Sequence, residues 1–264
     1  LGDLTVEEAP AGYCYVPGWG REGDIWEPRP EEGKPTIDLY DGEIRYVDCM
    51  VGDVFETLED LGIKDETVII ITSDHGEQLG QHGLYGHRGL HESVVYIPLI
   101  IWSPSVLPSG EVIEGYVQQA DVTPTILSLL GVKTEEMPRF DGESLLPMIE
   151  GKKPTRKEIF IEDHEQRAVV NGKWKYICNY FECTEELYNL ENDPVEVLNL
   201  AAKEKERTKK MRRRLFNWVH KNLGGKPDPM WNQMARFSAR WAAAFHEEFP
   251  DLRPKPTLIR GIDF

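Results

Sequence analysis

Thr67-Val-Ile-Ile-Ile-Thr72 is the segment that most narrows what this chain can fold into. Every residue in it is β-branched and no polar residue interrupts it, which predicts a strand covered on both faces, as in parallel sheets. Ahead of it, Ile37, Tyr40, Ile44, Val47, Val51, Val54, Phe55, Leu58 and Leu61 recur at three- and four-residue steps. That spacing predicts one long amphipathic helix from Pro35 to about Gly62. A second apolar run, Pro98-Leu-Ile-Ile-Trp102, follows a loop rich in Gly and His and a short helix. Helix, strand, loop, helix, strand is the rhythm of a layered α/β sheet. Both strands are expected to be parallel members of it, with a third candidate strand near Tyr116 to Gln118.

Farther on, Asp121-Val-Thr-Pro-Thr125 opens a helix with Pro124 in its first turn, and Gly131 closes it. The character changes around Gly151-Lys-Lys-Pro154. Short strands are expected at Glu158 to Glu162, Arg167 to Val170, Lys173 to Ile177 and Glu186 to Leu190, with Asn171-Gly172 as a two-residue hairpin turn. A helix from about Asn199 to His220 puts Leu200, Met211, Leu215, Trp218 and Val219 on one face. The expected domains are an α/β/α sheet portion over 1–150, a small antiparallel α+β subdomain over 151–223, and a tail over 224–264 packed on the body. Residues 1–35, rich in Gly, Pro and Glu around Trp19 and Trp26, read as an irregular segment.

A formal net charge of −16 excludes nucleic acid as the main partner, because a phosphate backbone requires a basic face. The basic run from Lys203 to Arg214 is interleaved with Glu204 and Glu206 and reads as a solvated helix face. No apolar run approaches the roughly 20 residues of a membrane span. Cys14, Cys49, Cys178 and Cys183 show no CxxC or zinc-finger spacing. Free thiols in a reducing compartment are the preferred reading, slightly favouring the cytoplasm. A Cys178–Cys183 bridge is the alternative.

The chemistry concentrates in Ser73-Asp-His-Gly-Glu-Gln-Leu-Gly-Gln-His-Gly-Leu-Tyr-Gly-His87, which begins where the first strand ends. Asp74 and His75 offer a carboxylate and an imidazole, a pair suited to a divalent cation. Gly76 allows a sharp backbone turn beside them. Five glycines from Gly76 to Gly89 permit close approach to a ligand. His75, His82, His87 and His91 place four of the chain's seven histidines within seventeen residues. An Asp-His pair after a strand also serves to cap a helix, and loop histidines are commonly surface residues. The glycines and the histidine density together favour a site.

These segments resemble the conserved C-terminal motifs of the sulfatase family, within the alkaline phosphatase superfamily. The likeness runs in order through Tyr40 to Asp48, Ser73 to Glu77, His91-Glu92 to Ile101, Asp121 to Gly131, Asp141 to Leu145, Val169 to Tyr176 and Glu186 to Pro194. It implies an alkaline-phosphatase-like α/β/α sheet portion followed by a small antiparallel α+β subdomain. It also implies a divalent cation, calcium first and manganese or zinc as alternatives, bound partly by Asp74 and His75. The family's anion-holding lysine corresponds to His87 here, a departure that puts that role in question. His82 is a second substrate-side candidate.

The nucleophile of the family sits in a Cys/Ser-x-Pro/Ala-x-Arg motif near the start of the enzyme. Cys14-Tyr-Val-Pro-Gly has its proline one place late and no arginine, so no catalytic nucleophile is assigned in this chain. The resemblance thus implies a hydrolase of small sulfate esters, of which this chain holds half the metal site. The remaining half is expected as a partner, from the same enzyme or through homo-oligomerisation, and the chain alone is expected to be inactive. The rival readings are a phosphonate or phosphodiester hydrolase of the same superfamily, and a non-catalytic half-sulfatase subunit.

Overall fold

The computed structural model describes residues 30–132, 139–152, 154, 156–163, 165–180, 184–226 and 228–230, with the side chains of 30–35 excepted. Residues 1–29 with Trp19, Trp26 and Cys14, Cys183, and the tail beyond 230 lie outside them. The described residues fall into two compact units: those up to Arg88 with Ser93–Val112, and Gly89–Glu92 with those from Ile113 onward.

The first unit is built from a long helix, α1 (Pro30–Asp60), and the strands β1 (Ile69–Thr72), β2 (Gln78–Leu79), β3 (Tyr85–Gly86) and β4 (Leu99–Trp102). The helix α2 (Glu92–Val95) is a single turn. α1 starts five residues before Pro35, ahead of the apolar periodicity. It packs through its half-buried Val51, Phe55 and Leu58, with the Phe55 ring edge-on to Trp102 at 5.3 Å. Ile44, Val47 and Val54 on the same helix remain 56%, 57% and 54% exposed.

β1 and β4 pair antiparallel, with Ile69 opposite Trp102 and Thr72 opposite Leu99, which corrects the expectation of parallel strands. A parallel pair needs a crossover of a dozen or more residues, usually a helix. Between β1 and β4 the chain spends its length on the β2–β3 hairpin and the one-turn α2, and it returns along the strand it left. The pair forms a two-stranded sheet whose residues are mostly half-buried, and Ile100 is 55% exposed. The candidate strand at Tyr116 to Gln118 forms no ladder among the described residues.

The second unit carries β5 (Glu158–Glu162), β6 (Gln166–Asn171), β7 (Trp174–Asn179) and β8 (Thr184–Asn189) in sequential antiparallel order. The turn between β6 and β7 is Gly172-Lys173, one residue later than Asn171-Gly172, because Asn171 pairs with Trp174 in the ladder. Gly172 takes φ +59°, the left-handed geometry that a tight hairpin requires and glycine adopts without strain. The helix α5 (Lys205–Leu223) lies on this sheet. Its buried Thr208, Met211, Leu215 and Val219 follow three- and four-residue steps, and Met211, Leu215 and Phe216 join Val169, Tyr176, Cys178 and Leu187 in one core. Gly224, at φ +55°, ends it. Cys178 is a free thiol, and its complete burial pushes its pKa far above the ordinary range.

Ahead of the sheet, α3 (Val122–Leu129) and α4 (Leu146–Ile149) are tied down by one carboxylate. Asp121 is fully buried and accepts N–H groups from Gln118 at 2.7 Å and Glu143 at 2.8 Å. Arg156 closes the cage with two further bonds, one of 2.8 Å to Oδ1. Burial alone would raise this carboxyl's pKa, but the Arg156 guanidinium and the two amides outweigh it and hold it below the usual range. A depressed carboxyl stabilises the fold at every pH above its unfolded value of about 3.9 and loses that contribution as pH falls through its folded value. Acid melting below about pH 4 is therefore expected to be shallower in Asp121→Asn than in the wild type. Parallel melting curves at falling pH would disprove the assignment.

Candidate functional site

β1 ends at Thr72, whose hydroxyl donates to the Pro98 carbonyl at 2.8 Å. Ser73 then turns its hydroxyl onto the carbonyl of His75 at 2.5 Å. This compact turn leaves the Asp74 carboxylate 85% exposed, with Oδ1 accepting the His75 amide N–H at 3.0 Å. That bond, and then the adjacent His75 ring, hold the Asp74 carboxyl below the usual range. Its Oδ2 lies 3.6 Å from His75 Nε2. His75 Nδ1 is 2.9 Å from the Gly76 carbonyl, an acceptor, so Nδ1 donates there and Nε2 is the atom turned to Asp74.

Gly76 has no positive φ, so its role is close approach. Its amide donates to the Val94 carbonyl at 2.7 Å, and a Cβ there would lie 2.2 Å from the Ser93 carbonyl oxygen. From this anchor β2 pairs with β3, Gln78 opposite Gly86 and Leu79 opposite Tyr85. Continued by one residue, the register sets Glu77 beside His87. Glu77 Oε2 lies 3.4 Å from His87 Nδ1, and the His87 ring stacks on His75 with centroids 4.2 Å apart and planes 23° apart.

The structure thus brings Asp74, His75 and His87 into one neighbourhood and adds Glu77, which the sequence reading quoted without a role. The signal for Glu77 was the pair Gly80 and Gly83, which mark a hairpin turn. His82 belongs to that turn, Gln81–Gly83, at the opposite end of the hairpin, where it takes φ +57°. His91 is in the second unit. It is nearly buried there and bonds Glu186 Oε2 at 2.9 Å.

A carboxylate and an imidazole at the end of a strand fit a divalent cation. The N-sulphoglucosamine sulphohydrolase C-terminal family model matches residues 80–221, and the Sulfatase family model matches residues 10–132. This chain belongs to the sulfatase family. It is 36% identical to choline-sulfatase of Rhizobium meliloti (strain 1021) over 168 residues, which cover 61% of this chain and 32% of that protein. Among solved structures, it is similar to BT4656 in complex with its substrate D-glucosamine-2-N,6-O-disulfate (TM-score 0.62, 27% identity, 71% of this chain and 40% of that one). It is also similar to the phosphonate monoester hydrolase of Agrobacterium radiobacter (TM-score 0.58, 26% identity, 74% of this chain and 42% of that one). The fold is therefore the alkaline-phosphatase-like α/β fold with a small antiparallel sheet in the C-terminal part. The chain spans about a third of the length of the curated relatives it matches, as for the 32% of choline-sulfatase.

Proposed function

We propose that this chain supplies the cation- and anion-holding side of a sulfate ester hydrolase. The observation that carries the reading is the turn after β1, where Asp74 and His75 present donor atoms 3.6 Å apart with His87 stacked on His75. A divalent ion held there supplies polarisation of the ester oxygens. Asp74 is held ionised by the His75 amide, and His75 is held in one tautomer by the Gly76 carbonyl, so both groups are set for binding before a ligand arrives. His87 faces the anionic end of the ester, and His82 is its weaker companion from the hairpin turn. The exposed Ile44, Val47 and Val54 of α1 are apolar enough to be covered by further sheet and helix, either the rest of the same enzyme or a second copy.

The phosphonate ester reading is favoured by one observation, the likeness to a phosphonate monoester hydrolase at 26% identity. Paired aryl sulfate and aryl phosphonate esters, assayed on a protein extended to the length of the relatives, separate the two. Sulfate turnover is expected to dominate and to fall at least about a hundredfold in Asp74→Ala. The 264-residue chain alone is expected to show none, for want of an activated nucleophile. Unchanged turnover in Asp74→Ala would refute the reading.

A further inference from the structure

α5 carries two kinds of cation. Its sheet-side arginines are engaged: Arg212 reaches Glu185 of β8 through Nε and Nη2, both at 2.5 Å, and Arg214 meets Glu158 of β5 at 2.8 Å. Lys205, Lys210, Arg213 and Lys221 are exposed and have no ion-pair partner among the described residues. Lys210, Arg213, Asn217 and Lys221 recur at three- and four-residue steps and so share the outward face of the helix. With 46 Asp and Glu against 30 Lys and Arg, carboxylates are not scarce in this chain. Cations clustered without them make a basic patch, not a salt-bridged surface. None of the exposed residues of α5 is apolar or aromatic, so the patch lacks what inserting into a membrane or stacking on bases requires.

The first turns of the same helix border a cleft of about 540 Å³, lined also by β8 and the loop before α5. That volume lies in the range of small-ligand sites. Its walls are fixed from within. Asn199 Oδ1 accepts the Leu187 and Ala201 N–H groups at 3.1 and 2.9 Å, and its Nδ2 donates to the Glu185 carbonyl at 3.0 Å. The Thr208 hydroxyl bonds the Ala201 carbonyl at 3.1 Å. The Glu185 carboxylate is taken up by Arg212 and by the Tyr176 hydroxyl. Lys205 and Lys209 then stand against Glu206 alone, and the cleft keeps a net positive charge. We propose that this cleft and the basic face of α5 form a second binding site, for a sulfated oligosaccharide, separate from the turn after β1. The cleft takes one anionic sugar unit, and the chain continues along α5, where Lys205 to Lys221 span about 24 Å at 1.5 Å per residue. A docked anion meets this face and not the net charge of −16, because salt screens charges beyond about 8–10 Å. A second point of attachment raises avidity for a sulfated polymer over a small ester.

The choice of sulfate rests on the proposed hydrolase reading, whereas the site itself rests on the cleft and the unpaired cations. The test is calorimetric titration of the 264-residue chain with a sulfated dextran oligosaccharide, the same oligosaccharide without sulfate, inorganic sulfate and a short DNA duplex. Only the sulfated oligosaccharide is expected to bind well, and more weakly as salt rises. Lys205→Gln/Lys209→Gln is expected to weaken it at least about tenfold. Glu206→Gln is expected to tighten it, and Lys152→Gln, at an exposed lysine elsewhere in the same unit, to leave it unchanged. All four substituted side chains are exposed, and unchanged melting curves verify that the variants fold. Binding that survives Lys205→Gln/Lys209→Gln, or that Lys152→Gln weakens equally, overturns the site. So does equal binding of the unsulfated oligosaccharide, inorganic sulfate or DNA. On a protein extended to the length of the relatives, Lys205→Gln/Lys209→Gln should leave turnover of a small aryl sulfate unchanged. Loss of the site is therefore distinguishable from failure of the hydrolase reading, which the Asp74→Ala assay tests.

Discussion

Replacing Lys175 by alanine is expected to destabilise the second unit by about 3–5 kcal/mol, the usual consequence of breaking a buried ion pair on one side. Lys175 lies on β7 with its side chain wholly buried, and its Nζ is 2.7 Å from Glu92 Oε1 and 2.9 Å from Glu196 Oε1. Glu196 is itself buried, holds the Glu92 amide at 2.6 Å, and adopts φ +59°, a conformation unusual for a residue with a Cβ. Burial raises the Glu196 carboxyl's pKa, and the Lys175 charge is the main influence opposing that. Without the ammonium, two carboxylates remain in a poorly solvated place with their main counter-charge gone. Urea unfolding of Lys175→Ala checks the size of the loss. Two further results follow if the charge is the cause. The double variant Lys175→Met/Glu196→Gln should recover part of the stability, since it removes both members of the pair. The Lys175→Ala deficit should also shrink as pH falls toward the unfolded carboxyl value of about 4.3, where a raised carboxyl takes up its proton in the folded state first. A deficit independent of pH would mean that Lys175 matters for its methylenes alone.

Lys175 also shows where sequence reading runs out. In Val169-Val-Asn-Gly-Lys-Trp-Lys-Tyr176, a lysine between two aromatics reads as the solvent side of an alternating strand. Yet β7 is buried on both faces, and the lysine's partners lie 83 and 21 positions away in the chain, at Glu92 and Glu196. Asp121 is a similar case. Its place at the start of a helix was legible, whereas its burial against Arg156 was not. The β5–β8 meander was legible almost to the residue, because alternation and a Gly-containing turn are local signals. The direction of β1 against β4 was not, since an unbroken β-branched run looks the same in a parallel and an antiparallel ladder. At the candidate site, Asp74 and His75 were singled out by residue type and place after a strand, and His87 by its place in the family resemblance. Glu77 acquires its place only through the two-residue strands β2 and β3, too short to show any period.

Gly76→Ala is expected to disrupt the first unit and the site together, at a cost on the order of 3 kcal/mol. The new Cβ would meet the Ser93 carbonyl oxygen at 2.2 Å and its carbon at 3.1 Å, both backbone atoms that no rotamer change can move aside. Relief requires Gly76 to retreat from the segment that holds its amide through Val94. His75 and Glu77 flank Gly76, so the retreat carries both side chains with it and spoils their contacts with His87. Gly52→Ala is the matching control. Gly52 sits within α1, and a Cβ there meets nothing within 4 Å. Removing a helix-interior glycine should stabilise the chain by about 0.5–1 kcal/mol. The same chemical change is therefore predicted to have opposite signs at two positions 24 residues apart in one unit. Thermal melting of both variants decides the matter. Should Gly76→Ala melt with the wild type, the Gly76–Ser93 approach is not what positions His75 and Glu77, and the hairpin must be anchored elsewhere.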